Sequence, residues 1–483
     1  MPFHTIPDQL PLGYYGPPFL KRWVRLPVAD LTRHMFVQGV TGVGKSRWLA
    51  GLALTLIRRG EGVTVLDPHG DTARLIFHHL VADGLYRNHE AYTRVTYLDL
   101  PGGARAGRYV PLSPLAPLVP AIATPLAAGR VLEALQRAWP ALDGTSAPAF
   151  ANAVLAGTSV LHHHKLPLVL LGDLFLDAPW RRQLLTSVTD PTVRSFFTRL
   201  EGWGSRDQAS YLESTLRRVF LLGFQPALRY SLGAEDNAIR FGERFDRGQS
   251  LLVNLALPDS DSRRLLTSLL TVGAEQAAMA RAGMPAGERG RPHTLIVDEW
   301  SDVAAQSGVA VTHLLEQTRK FGLGLVLAVQ TGAALSERVR GAVGNVGTGV
   351  IFRLGRSDAE EAAGLLMRHD PYQVKHEVRD KLLRRRTHPV YMPLSEQREA
   401  WIGAITRLSS QRFFLRRGTG SVPLLTAPPL PDPTVDTEEM ARVEEHFLTT
   451  YFWPGAVVEA QLRDLHDMKP VAGTTRRGRV GGE

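Results

Sequence analysis

Gly39-Val40-Thr41-Gly42-Val43-Gly44-Lys45-Ser46 fits the spacing G-x-x-x-x-G-K-[ST] at every position, and its reading decides the fold. The glycines let the backbone curl so that successive N–H groups turn inward on a phosphate. Lys45 then reaches the β- and γ-phosphates, and the Ser46 hydroxyl is placed to ligate Mg²⁺. The flanks agree with this reading. The apolar run Met35-Phe36-Val37 reads as a buried strand entering the loop, while Leu49, Leu52, Ala53 and Leu56 recur at helical spacing after it. A helix starting there adds the partial positive charge of its N-terminus to the anion site. Gly39, Thr41, Gly42, Val43, Gly44, Lys45, Ser46 and Arg47 are therefore the candidate nucleotide-binding residues, with ATP and Mg²⁺ as the expected ligands.

Further strands and their polar ends follow. Gly62-Val63-Thr64-Val65-Leu66 predicts a strand running into Asp67-Pro68-His69-Gly70-Asp71. Polar groups at the carboxyl end of a parallel strand lie beside the phosphate site of an open α/β sheet, so Asp67 and His69 are phosphate-proximal candidates. His69 and Asp71 serve equally well as caps for a helix over 72–81. Thr294-Leu295-Ile296-Val297 runs into Asp298-Glu299: an acid in the Mg²⁺ shell, Asp298, beside one that orients and deprotonates a water, Glu299. The apolar strand Leu323 to Val329 ends at Gln330, which is placed to sense a γ-phosphate. Another strand runs from Gly347 to Arg353, and Ser357 with Glu360 has the spacing of a capping box for the next helix.

Between about 118 and 245 the strand signal fades and helical patterns take over, as over Ala127 to Trp139, Ala149 to His162, Thr192 to Leu200 and Gln208 to Leu222. This predicts an inserted helical domain. Consecutive His162-His163-His164 point in different directions on a helix and do not have the spacing of a metal site. Residues 1–30, rich in Pro and Gly, read as an extended lead-in ending in a short strand near Val24 to Leu26.

Composition bounds the rest. The 483 residues carry 56 Lys/Arg against 47 Asp/Glu, a net charge of +9, which favours a polyanionic partner. Cysteine is absent, so disulfides, thiol catalysis and thiolate zinc sites are excluded. No apolar run reaches the length of a bilayer span and no secretory leader pattern opens the chain, so the expectation is a cytoplasmic protein without an integral membrane segment.

Taken in order, these motifs resemble the HerA/FtsK superfamily of hexameric DNA-pumping ATPases, and more closely its type IV secretion coupling proteins, which feed DNA to conjugation machinery. The resemblance rests on Gly39 to Ser46, Asp67-Pro68-His69-Gly70-Asp71, Val297-Asp298-Glu299, Glu316-x-x-Arg319-Lys320-Phe321-Gly322, Ala328-Val329-Gln330, and Gly344 to Thr348 running to Phe352-Arg353. It implies a RecA-like P-loop sheet of class α/β, formed by residues 31–117 and 246–370, with an all-α domain inserted over 118–245. It also implies a sensor role for Gln330 and an arginine finger supplied by a neighbouring subunit, Arg319 first and Arg353 second. The implied partners are DNA, further copies of the chain in a homohexameric ring, and a secretion or DNA-processing complex that holds it peripherally at the membrane. Ser113 stands where related sequences often show Asn.

Beyond residue 371 the resemblance fades. Residues 371–417 carry 11 Lys/Arg against 4 Asp/Glu, a net of +7, in what reads as a basic C-terminal extension over 371–430. Arg384, Arg385, Arg386, Arg412 and Arg416 are its candidate DNA contacts, Phe413 and Phe414 offering stacking faces. The alternative reading is a solvated basic face with the phenylalanines in a β-core. Residues 431–483 read as a helix followed by a disordered tail. The expectation is an ATP-driven DNA translocase. Its rivals are a secretion ATPase that moves protein and a nucleotide-dependent DNA-binding assembly or defence scaffold with low turnover.

Overall fold

The computed structural model describes residues 8–17, 19–115, 124–139, 147–284, 290–302, 308–379, 387–418 and 420–467. In chain order the strands are β1 (Gln9–Tyr15), β2 (Arg22–Pro27), β3 (Met35–Gln38), β4 (Gly62–Asp67), β5 (Val95–Asp99), β6 (Arg108–Tyr109), β7 (Ser250–Asn254), β8 (His293–Val297), β9 (Leu323–Val329), β10 (Thr348–Ile351), β11 (Val374–Arg379), β12 (Thr387–Tyr391), β13 (Arg412–Arg417), β14 (Leu424–Thr426) and β15 (Trp453–Pro454). Eleven of them form one sheet in the order β2-β1-β14-β13-β10-β3-β9-β8-β4-β7-β5. Its centre, β10-β3-β9-β8-β4-β7, is parallel, and its flank, β13-β14-β1-β2, is antiparallel. Strands of a parallel sheet covered on both faces read as continuous apolar runs, and β9, Leu-Gly-Leu-Val-Leu-Ala-Val, is buried at every residue.

The chain divides into two compact units. The first, Met1–Tyr97, Arg244–Asn254 and Arg281–Met440, holds nearly all of the large sheet. The helix Lys45–Arg58 after β3 and the helix Asp71–Ala82 after β4 belong to it. The second, Leu98–Glu243, Leu255–Ala280 and Ala441–Glu483, is mainly helical, with helices Thr124–Ala138, Ala147–His163, Pro191–Glu201, Ser205–Phe224 and Ser260–Ala280. Pro191–Glu201 starts where Pro at the first position needs no N–H partner and the Asp190 carboxylate accepts from Thr192 N and Val193 N. Among the described residues, no helix is long and apolar enough to cross a membrane.

Three local expectations are corrected. The amino-terminal stretch is a β1–β2 hairpin rather than an extended lead-in with one short strand. Pro11 and Gly13 disguise β1 because they mark a register shift. Gly13 is also required where β1 meets β14, since a Cβ there would stand 2.8 Å from Thr426 O and 2.9 Å from Phe413 Cζ. The Ser357–Glu360 capping box does not form. The helix begins two residues earlier than that box requires, at Arg356 behind Gly355, and Glu360 pairs with Arg356 at 3.2 Å instead. The helix after β4 is capped by neither His69 nor Asp71. The Asp67 carboxylate takes that role, accepting from His69 N at 3.0 Å and Ala73 N at 2.9 Å.

His34, just before β3, ties three elements together. Its buried ring accepts from Leu325 N at Nδ1 (3.1 Å), and its Nε2 lies 2.6 Å from Leu315 O, which selects the neutral Nε2–H tautomer. Burial, with the Arg319 charge adding to it and the Leu315 bond opposing it, pulls the pKa from 6.5 to about 4. The unfolded chain therefore takes up a proton between pH 6.5 and 4 that the folded chain refuses. The stability His34 contributes is complete above pH 6.5 and is lost as pH falls toward 4, at about 1.4 kcal/mol per pH unit while it titrates. His293, pulled down to about 3 by burial and then by Arg281 and Arg244, acts in the same direction. Urea midpoints measured from pH 7 to 5 should fall, and His34→Asn, which tolerates the positive φ of 63° there, should flatten the slope. An unchanged slope in the variant would show that His34 titrates normally.

Candidate active site

The carboxyl ends of β3, β9, β8 and β4 are neighbours in the sheet, and each ends in residues singled out from the sequence. After β3 the loop curls through Gly42 (φ 78°) and Gly44 (φ 95°), conformations that L side chains rarely adopt, and the helix starts at Lys45. Gly39 N donates to Val329 O at 3.2 Å and Val40 N to Arg353 O at 3.0 Å, so the flanking strands hold the loop's entrance. Thr41 Oγ1 donates to Gln330 Oε1 at 2.9 Å, which ties the end of β9 to the loop.

Asp298 and Glu299 meet the loop from β8. Ser46 Oγ donates to Asp298 Oδ2 at 3.0 Å, and Thr72 Oγ1 donates to the same oxygen at 2.9 Å. Lys45 is buried, and its Nζ lies 3.5 Å from Asp298 Oδ1 and 3.7 Å from Glu299 Oε2, within ion-pair range but too far for hydrogen bonds. Lys45 Nζ and Glu299 Oε2 are thus buried polar atoms without a hydrogen-bond partner. Glu299 Oε1 accepts from Ser301 Oγ at 2.6 Å and from Gln330 N at 3.4 Å. Glu299 also has φ 59°, a left-handed backbone that a glutamate adopts only when its surroundings hold it there. Burial, reinforced by the charge of Asp298, raises the Asp67 carboxyl to about 6, with its backbone hydrogen bonds opposing the rise.

An ammonium with unused donors faces a carboxylate with an unused acceptor, beside a hydroxyl and a second carboxylate on a shared oxygen. That set fits a metal-bound polyphosphate: Lys45 would meet phosphate oxygens, and Ser46 with Asp298 would hold the divalent ion.

His69 is exposed and lines the same cleft, while Asp71 pairs with Arg74 at 2.9 Å. Arg47 lines the cleft too and donates to Leu430 O at 2.5 Å and Asp432 Oδ1 at 2.7 Å. The two finger candidates lie at opposite edges of the sheet. Arg353 follows β10 at the carboxyl edge beside the loop. Arg319 is exposed at the end of the helix Gly308–Lys320, just ahead of β9, at the amino edge. At ~3.3 Å per strand residue, β9 alone puts roughly 20 Å between Arg319 and the loop of its own chain.

Of the basic candidates, Arg412 is exposed, whereas Arg416 is half-buried, its Nη2 donating to Gly344 O at 2.6 Å and Val346 O at 3.2 Å. Phe413 and Phe414 are buried in the sheet, Phe414 against Trp401 with ring centres 5.1 Å apart. Arg384, Arg385 and Arg386, and the tail expected to be disordered, lie outside the described residues.

The sequence reading missed Ser410, Gln411 and Asp432, which close the cleft from far downstream in the chain. Ser410 Oγ donates to Gly42 O at 3.0 Å and Gln411 N to Val43 O at 2.8 Å. Gln411 itself has φ 63°, and its Cγ lies 3.2 Å from where a Cβ on Gly44 would stand. These bonds occupy the carbonyls of Gly42 and Val43 and fasten the chain ahead of β13 to the loop.

Residues 22–99 match the model of a known family, the central domain of helicase HerA. No curated protein matches the chain. Among solved structures, the bacterial conjugative coupling protein TrwB lacking its first 70 residues is similar, at 17% identity and a TM-score of 0.55 over 86% of this chain and 90% of that one. TrwB in complex with ADP and Mg²⁺ aligns at 18% identity and 0.52 over 85% and 89%, and TrwB with a non-hydrolysable ATP analogue at 19% and 0.50 over 86% and 91%. Residues 22–99 are thus similar to the HerA central domain, and the chain has the RecA-like P-loop fold seen in TrwB.

Proposed function

We propose that the chain hydrolyses ATP and uses the energy to move DNA, working as a homohexameric ring with each nucleotide held between two subunits. The observation that carries this reading is the split of the hydrolytic groups. Lys45, Ser46, Asp298, Glu299 and Gln330 gather at the carboxyl edge of the sheet, whereas Arg319 stands exposed at the amino edge, out of reach of its own loop. Arg319 then acts only on a neighbour's nucleotide. Arg353, on the loop's side, is the second candidate and would act within its own subunit.

Lys45 holds the β- and γ-phosphates, the loop's N–H groups surround them, and Ser46 with Asp298 holds Mg²⁺, as the ligands of TrwB suggest. The bound ion would neutralise phosphate charge and orient the terminal group. Glu299 takes a proton from the attacking water, and Gln330, tied to Thr41 and to Glu299, reports the state of the terminal phosphate to the loop. Because one nucleotide bridges two subunits, its hydrolysis changes their relative orientation and drags DNA held in the ring. The fold of coupling proteins and the +7 charge of residues 371–417 support DNA as the cargo, with the chain working peripherally at a secretion or DNA-processing complex.

Movement is tested by displacement of a third strand from a duplex carrying a triplex block. The expected result is ATP-dependent displacement that is absent in Lys45→Ala. ATP hydrolysis without displacement would favour the protein-moving ATPase, and DNA binding with negligible hydrolysis the scaffold. Neutralising Arg384, Arg385 and Arg386 together should weaken DNA binding and flatten its slope against log salt by roughly one unit for each phosphate that these arginines neutralise. An unchanged slope places the DNA path elsewhere.

A further inference from the structure

The helical unit buries two arginines on one face of the helix Thr124–Ala138 and treats them in opposite ways. Arg137 is neutralised: its guanidinium donates to Glu275 Oε1 at 3.0 Å and Oε2 at 2.7 Å, and to Glu133 Oε1 at 2.6 Å. Arg130, two turns earlier, is 6% exposed, and its Nη2 makes one long bond, 3.4 Å, to Pro114 O. Its Nε is buried with no partner. Among the described residues no acid pairs with it, and burial lowers its pKa to about 10. Its charge is also felt at His162, whose pKa is lowered by burial first and by Arg130 second, so that ring does not compete for an anion. A buried, uncompensated guanidinium is costly, and the same helix shows that the fold can supply carboxylates when it needs them.

Arg130 lines a cavity of ≈ 40 Å³ in the same unit. Leu112, Pro114, Ile239, Phe241, Leu270 and Val272 make apolar walls. Ser113 and Asn237 also line it, the Asn237 Oδ1 accepting from Ile239 N at 3.0 Å, which leaves its amide N–H groups as donors. Among the described residues that line the cavity, none is acidic. A lining that is mostly hydrocarbon, with a guanidinium and an amide among it and no acid, suits an anion with an apolar body. Space for about three water positions suits a short alkyl body such as a methyl or ethyl group. We propose that the cavity is a binding site for a small monocarboxylate of acetate size, its carboxylate on Arg130 and its alkyl end against the apolar wall.

The test is thermal unfolding of the full chain at constant ionic strength, with chloride replaced by formate, acetate, propionate or butyrate, for wild type and Arg130→Met. Acetate or propionate should raise the wild-type melting temperature saturably, by roughly 2–8 °C, while butyrate, too long for the cavity, should not. Arg130→Met should lose the acetate response. Equal shifts in both proteins would mean a bulk solvent effect, and no shift in wild type a cavity that holds only water. Either result overturns the proposal. Should Arg130→Met fail to fold, ¹³C-acetate NMR with the wild-type protein decides: line broadening reversed by propionate and not by butyrate supports the site, and absence of broadening refutes it.

Discussion

Glu299→Gln is expected to bind ATP nearly as tightly as wild type and to hydrolyse it ~10²- to 10⁴-fold more slowly, the range a positioned general base contributes. The substitution keeps the shape of the side chain and, in the amide oxygen, an acceptor for Ser301 Oγ and Gln330 N, but removes the basic oxygen that lies 3.7 Å from Lys45 Nζ. Lys45→Ala should fail differently. It deletes the buried ammonium that answers the phosphates, so ATP binding itself is lost. Equilibrium binding of a labelled nucleotide alongside single-turnover hydrolysis separates the two. Equal losses of affinity would contradict the division of labour between loop and base.

Arg319→Ala carries the larger expected effect, ~10³- to 10⁵-fold in turnover, because a finger acts on charge that develops in the transferring phosphoryl group. The same substitution should leave ATP affinity and particle mass nearly unchanged, since Arg319 is exposed and its own loop lies roughly 20 Å away along the sheet. Mixing supplies the decisive arm. Rings assembled from Lys45→Ala and Arg319→Ala subunits contain interfaces where an intact loop faces an intact finger, so mixtures should recover activity that neither parent has. Failure to recover, in mixed rings of verified mass, moves the assignment to Arg353, which stands at the loop's own edge of the sheet.

How much of this could be read in the sequence follows from how local each constraint is. Phosphate binding fixes backbone and side chain within eight residues, so Gly39 to Ser46 announces itself, and an apolar strand ending in two acids does the same for Asp298 and Glu299. Asp67 was legible as a polar strand end but its task was not. Only the geometry shows that its carboxylate, rather than those nearer the helix, meets His69 N and Ala73 N. Ser410, Gln411 and Asp432 carried no signal at all. Their role comes from β13 and β14 folding back beside β10, which brings Ser410 to Gly42 across 368 residues, a juxtaposition made by tertiary pairing alone. The β1 strand was hidden for the opposite reason: Gly13 looks like a breaker until the close approach of Thr426 and Phe413 shows that nothing larger fits.

The central claim is an ATP site completed between subunits and driven by DNA. It is tested most directly by steady-state ATP turnover on particles of measured mass, with and without duplex DNA. The account predicts a hexamer whose turnover rises with DNA and falls to background, with mass unchanged, in Arg319→Ala. A monomer that hydrolyses ATP at the same rate with or without DNA, and as fast in Arg319→Ala as in wild type, would contradict it.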